Sequence, residues 1–181
     1  MLRGALVSGD RFVTEAGGEA EVAIAAGKGR IVLHGEGVTQ DYAALLPGGA
    51  VDATRWDGSI GYQSPGVLVA GAYERRTSAS PATDYAGFRT YAASRIELKS
   101  GAYISNAGTI RFLKYEGLAG LPGVKEQRFY GRTAYGMPLG DSGLTLEAAG
   151  TATVRSYDSA SGLADYRDFG GELRLVWNFG N

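Results

Sequence analysis

Cysteine is absent from the 181-residue chain, histidine occurs once, and proline only 5 times. Without cysteine there is no disulfide framework and no thiolate metal or redox chemistry. A secreted or envelope protein can also do without cysteine, so the compartment stays open. One histidine leaves a metal site little besides carboxylates, and neither a metal nor a cofactor is expected. No apolar run approaches the ~18 residues of a spanning helix; the best, VLVAGAY at 67–73, is strand-sized. The opening MLRGALVSGD has no long hydrophobic region and is not read as a signal peptide. For an exported chain, the leader is expected to have been removed ahead of Met1. A formal net charge of −1 gives no reason to expect nucleic acid. The GKG at 27–29 lacks the frame of a phosphate-binding loop, and no Gly-x-Ser-x-Gly elbow occurs.

What the chain does have is glycine, tyrosine and alternation. Its 29 glycines are about 16% of the residues against a usual ~7%. They follow no Gly-X-Y period, so collagen is excluded, and within apolar alternation they imply closely packed or curved strands. Period-2 alternation runs from end to end without a helical stripe. The strand candidates are 2–14, 19–27, 30–40, 53–63, 67–77, 85–99, 103–116, 126–137, 143–157 and 165–179. Read backward from the C-terminus, the connections alternate long and short: DSASGLAD, PLGDSG, GLAGLPGVK, KSGA, TSASPATD, SPG, DYAALLPGGAVD, GKG. Only the first, EAGGE, is of middling length where a long one is due. Such alternation collects the long loops at one end and the tight turns at the other, as in an up-and-down meander. The expectation is an all-β, antiparallel, single-domain transmembrane β-barrel of about 10 strands over 1–181.

The two faces of the strands differ in chemistry. One carries aromatics at its ends: Trp56 and Tyr62, Phe129 and Tyr135, and Phe169 with Trp177 and Phe179. From 169 to 179 is roughly 33 Å at ~3.3 Å per residue. At a tilt near 40° this projects to about 25 Å, the height of the apolar band of a membrane barrel. These residues are the expected interfacial girdles. The other face carries Arg55 and Asp57, Glu74 and Arg76, Arg89, Arg95, Glu97 and Lys99, Arg128 and Arg132, Glu147 and Arg155, and Glu172 and Arg174. Mixed charges on neighbouring strands can pair across the ladder and fill a narrow lumen. The alternative is a soluble barrel with the apolar face inward, enclosing a lipid or another apolar ligand, because a barrel of ~8 strands is already filled by its own side chains.

On these residues the whole chain resembles a small bacterial outer-membrane β-barrel. GGELRLVWNF resembles the C-terminal strand that the barrel-assembly machinery recognises in that class, although Gly180 and Asn181 follow Phe179 where most members end on the aromatic. The resemblance implies location in the outer membrane, contact with membrane lipid or lipopolysaccharide, and engagement of that machinery. It is also compatible with the C-terminal part of a larger export barrel. It names no activity, and a narrow pore, membrane anchor or surface-contact protein without enzymatic activity is expected.

The remaining chemistry is sparse. His34, on the same face as Arg30 and Glu36, is the one residue for an alternative hydrolase reading, with Glu36 orienting it as general base. A structural role in the charged ladder is the preferred reading. Asp158, Asp165 and Asp168 frame the last long loop, where loose calcium binding competes with simple solvation. Tyr42, Tyr85, Tyr103 and Tyr166 lie near loops and suit either stacking on a ligand or the girdle.

Overall fold

A computed structural model describes residues 2–7, 10–42, 52–78, 80–140, 143–158 and 161–177. The strands are β1 (Leu2–Val7), β2 (Asp10–Ala26), β3 (Gly29–Tyr42), β4 (Ala53–Ser64), β5 (Val67–Ser78), β6 (Tyr85–Glu97), β7 (Tyr103–Tyr115), β8 (Lys125–Pro138), β9 (Leu144–Tyr157) and β10 (Tyr166–Trp177). They form one 10-stranded sheet in chain order, with every neighbouring pair antiparallel. Among the described residues helix is confined to single turns at Pro81–Thr83 and Leu118–Gly120. Among the described residues no helix is long and apolar enough to cross a membrane. No pairing there joins β10 back to β1 or β2, so the sheet as described is open.

The all-β meander expected from the alternation is therefore present, but its first hairpin is placed differently. EAGGE is not a connection; residues 15–19 lie inside β2, and β1 ends at Val7, whose register partner is Asp10. The first strand candidate, 2–14, thus merges all of β1 with the start of β2, and β2 absorbs 19–27. Gly17 and Gly18 have the composition of a turn, but Gly17 marks a close approach to β3. A Cβ on Gly17 would overlap the Gly37 carbonyl oxygen and stand 2.9 Å from Val38 Cα. Glycine is retained in a strand where another backbone comes this near. The remaining connections between strands alternate in length as expected, with short turns at 27–28, 65–66 and 98–102, while between β8 and β9 the Leu139 N–H donates to the Leu144 carbonyl at 2.8 Å. Gly66, at φ +76, supplies the left-handed conformation that the two-residue turn between β4 and β5 requires.

The register settles which residues share a face. On one face Ile31 opposes Tyr62, Leu33 opposes Ile60, and Tyr73 opposes Phe88, which opposes Phe112. These large apolar side chains are all exposed. On the other face lie Val38, Ala72, Leu113 and Ala134, which are buried, and buried among them are Glu74, Glu126 and Glu147. The more enclosed face is the charged one, and the largest fully buried side chain among the described residues is Glu126. A soluble fold places these chemistries the other way round.

Candidate functional site

The enclosed face is built row by row from the strand register. Glu19 stands opposite Glu36, Glu36 opposite Asp57, and Asp57 opposite Glu74, an acidic row across β2 to β5. One row nearer the tight turns, Arg89 stands opposite Arg111, Arg111 opposite Arg128, and Arg128 opposite Arg155, a basic row across β6 to β9. Like charges directly opposite one another are unfavourable. Ion pairs with residues outside each row offset this: Arg55 Nη2 meets Glu36 at 3.3 Å and, from the basic row to the acidic one, Arg89 Nη2 meets Asp57 at 3.0 Å. Arg111 grips Glu74 with two nitrogens, its Nη2 at 2.6 Å from Oε2, and also donates to Tyr85 Oη at 3.2 Å.

A second cluster lies in the C-terminal strands. Arg132 donates to Glu147 at 2.5 Å and to Glu172 at 2.7 Å, and Arg174 donates to Glu172 at 2.6 Å. The Tyr103 hydroxyl donates to Glu147 at 2.6 Å, and the Arg95 guanidinium lies 3.6 Å from the centre of the Tyr103 ring while its Nε binds Glu97 at 2.5 Å. The buried Glu126 carboxylate is held by Arg128, by the Tyr115 hydroxyl at 3.1 Å, and by Arg155 at 3.6 Å. Arg76 donates instead to the Thr83 carbonyl at 2.9 Å, tying β5 to the loop beyond it.

Several of these bonds skip a strand. Asp57 and Arg89 belong to β4 and β6, Glu74 and Arg111 to β5 and β7, Tyr103 and Glu147 to β7 and β9, and Arg132 and Glu172 to β8 and β10. Alternate strands in a flat sheet lie ~9.6 Å apart. These contacts over that gap, together with the greater burial of the charged face, fit a sheet curved with the charged face concave. A polar hollow of about 400 Å³ lies on this face, lined among others by His34, Glu36, Asp57, Glu74, Arg89 and Arg111.

Every charged residue expected on this face in the strands lies there, whereas Lys99 falls past the end of β6 in the turn. Arg155 does not reach Glu172 or Arg174, as would be needed for them to meet near an axis; it turns to Glu126 and to Tyr157 Oη at 3.5 Å. Sequence reading missed Arg111, Glu126 and Tyr103 as members. Arg111 was recoverable, since it alternates with Ile110 and Phe112, but Leu113 and Lys114 break the pattern just after it. Tyr85 and Tyr103 lie on the charged face, not on the apolar face that carries the girdle residues, and Tyr85 lines the polar hollow. Tyr85 packs edge-on against Tyr115 at 5.7 Å.

His34 stands opposite Glu21 and Ser59 in mid-strand, and Glu36 gives its carboxylate to Arg55. Among the described residues no three of histidine, aspartate and glutamate are grouped as metal ligands. Asp165 accepts the Tyr157 N–H at 3.0 Å and Asp158 the Lys125 N–H at 3.4 Å, so both fasten the last long loop. The expected girdle residues Trp56, Tyr62, Phe129, Tyr135, Phe169 and Trp177 are all exposed on the apolar face, and Phe179 lies outside the described residues. No family model, no curated protein and no solved structure matches this chain.

Proposed function

We propose that the chain is an integral β-barrel of a Gram-negative outer membrane, closed by the edge of β10 meeting the edge formed by β1 and β2. It is not an enzyme and serves as a narrow, porin-like pore, a membrane anchor or a surface-contact protein, with transport limited to what the charged lumen lets through. The observation that carries the reading is the inversion of burial. Glu126 is 1% exposed, whereas Leu173 is 72% and Phe169 73% exposed on the opposite face. Soluble monomers rarely expose contiguous apolar patches beyond a few hundred Å². Lipid contact gives that face a partner, and aromatics toward both ends suit the two interfaces. A soluble carrier needs its apolar face on the concave side, and the charged bonds that skip strands occupy that side.

Lipid of the membrane, including lipopolysaccharide, and the barrel-assembly machinery acting on the C-terminal strand are the partners this reading implies. The test is detergent dependence followed by planar-bilayer recording. The purified chain is expected to aggregate without detergent or lipid, to insert into vesicles, and to conduct weakly. A monodisperse protein in plain buffer overturns the reading. A large steady conductance shows instead that the strands belong to a wider barrel.

A further inference from the structure

We infer that the outward face at the long-loop end carries a site for an anionic lipid, with its phosphate bridging Lys114 and Lys125 and an acyl chain lying in the apolar groove beneath them. The inference rests on the membrane reading above and names a lipid contact within it. Lys114 and Lys125 stand directly opposite each other on β7 and β8, Ala86 opposes Lys114, and Arg75 opposes Ala86, so all three cations share one row. Each is exposed on the apolar face, and among the described residues none forms an ion pair.

Lysines opposed on a ladder have Cβ atoms ~5 Å apart and repel. Both ammonium groups can converge on one phosphate, which removes that repulsion. The nearest acidic residues do not do this. Asp158 turns a carboxylate oxygen toward the Lys125 backbone N–H at 3.4 Å, and Glu116 lies past the end of β7. Directly below the cations, Tyr73, Phe88, Phe112 and Gln127 occupy the next row. With Lys114 and Lys125 they line a groove of about 360 Å³ whose walls are mostly apolar. A cationic rim above an apolar trough matches a phosphate headgroup joined to an acyl chain. Among the described residues at the tight-turn end, the pairs on this face are apolar instead: Tyr135 opposes Ile104, and Leu175 opposes Leu146.

The test uses tryptophan quenching in vesicles. A Trp56→Phe/Trp177→Phe/Phe112→Trp protein places its one tryptophan in the groove, and a Trp56→Phe protein keeps Trp177 as the reporter at the other end. Both are inserted into brominated phosphatidylcholine vesicles and titrated with unbrominated phosphatidylglycerol. The groove reporter is expected to prefer phosphatidylglycerol by about 30-fold, as two surface lysines predict. Lys114→Gln/Lys125→Gln should return the ratio to about one, and Trp177 should read about one throughout. Equal ratios with and without the lysines, or at both ends, overturn the site. Loss of the preference on adding millimolar inorganic phosphate overturns it in favour of a soluble anion. Failure of the unsubstituted chain to insert into phosphatidylcholine vesicles overturns the membrane reading, and the site with it.

Discussion

Placing arginine at Leu173 separates a lipid-facing strand from a solvent-facing one. Leu173 is 72% exposed, so its replacement leaves no core cavity, and its register partner is Ala148, which offers no counter-charge. Phe169 and Trp177 bracket it four residues away on either side, ~13 Å along the strand at ~3.3 Å per residue. With a tilt near 40° this puts Leu173 about 10 Å below each ring, at the centre of the band. An arginine there costs about 2–4 kcal/mol in a bilayer, falling toward 0–1 near the interfaces. The cost multiplies the unfolded fraction roughly 30- to 700-fold. On a solvated surface the same change stays within about 0.5 kcal/mol. Urea titration of vesicle-inserted protein, followed by fluorescence and by heat-modifiable gel mobility, reads the difference. Leu175→Arg, closer to the Trp177 ring, should cost less than Leu173→Arg. Arg174→Leu, on the concave face, removes only a partly exposed pair with Glu172 and should cost about 1 kcal/mol or less. A Leu173→Arg protein within about 0.5 kcal/mol of the parent refutes the assignment of this face to lipid.

Arg132→Ala should destabilise by about 1–2 kcal/mol, because Glu147 loses its closest cation and keeps the Tyr103 hydroxyl and the Arg174 charge nearby; adding Glu147→Ala should recover part of it in the same titration. Gly17→Ala should cost about 2 kcal/mol, since the new Cβ meets backbone atoms of Gly37 and Val38 that cannot step aside, whereas Gly18→Ala, with nothing within 4 Å, should be near neutral. Shortening Arg132, Arg155 and Arg174 together to serine should raise a weak single-channel conductance in planar bilayers; unchanged conductance would falsify the idea that these side chains obstruct the lumen.

Alternation made most of the sheet legible because a strand of period 2 writes its two faces directly into the sequence. It failed at Gly17 and Gly18, a pair with the composition of a turn, of which Gly17 is required by backbone contact with β3. The charged face was legible as a set of residues, but not as rows. Register depends on which residues stand opposite each other, and nothing in a single strand states that. The opposition of Arg89, Arg111, Arg128 and Arg155 therefore emerged only from pairing. Glu126 was illegible for a related reason: it is the second residue of β8, too near the strand's start for alternation to set its phase, and the groups that hold it, Tyr115, Arg128 and Arg155, come from three strands.

The separation of the acidic row from the basic one divides the chain itself. The strands laid down first, β2 to β5, bring Glu19, Glu36, Asp57 and Glu74 side by side, while the arginines that hold Asp57 and Glu74 arrive on β6 and β7. An amino-terminal half alone keeps the Arg55–Glu36 pair but leaves Asp57 and Glu74 without their arginines, and a carboxy-terminal half keeps Glu126 between Arg128 and Arg155 but leaves Arg89 and Arg111 without their carboxylates. A break in the connection between Ser78 and Tyr85 would leave two fragments whose concave rows bear opposite signs, each a poor partner for its own kind and a good one for the other.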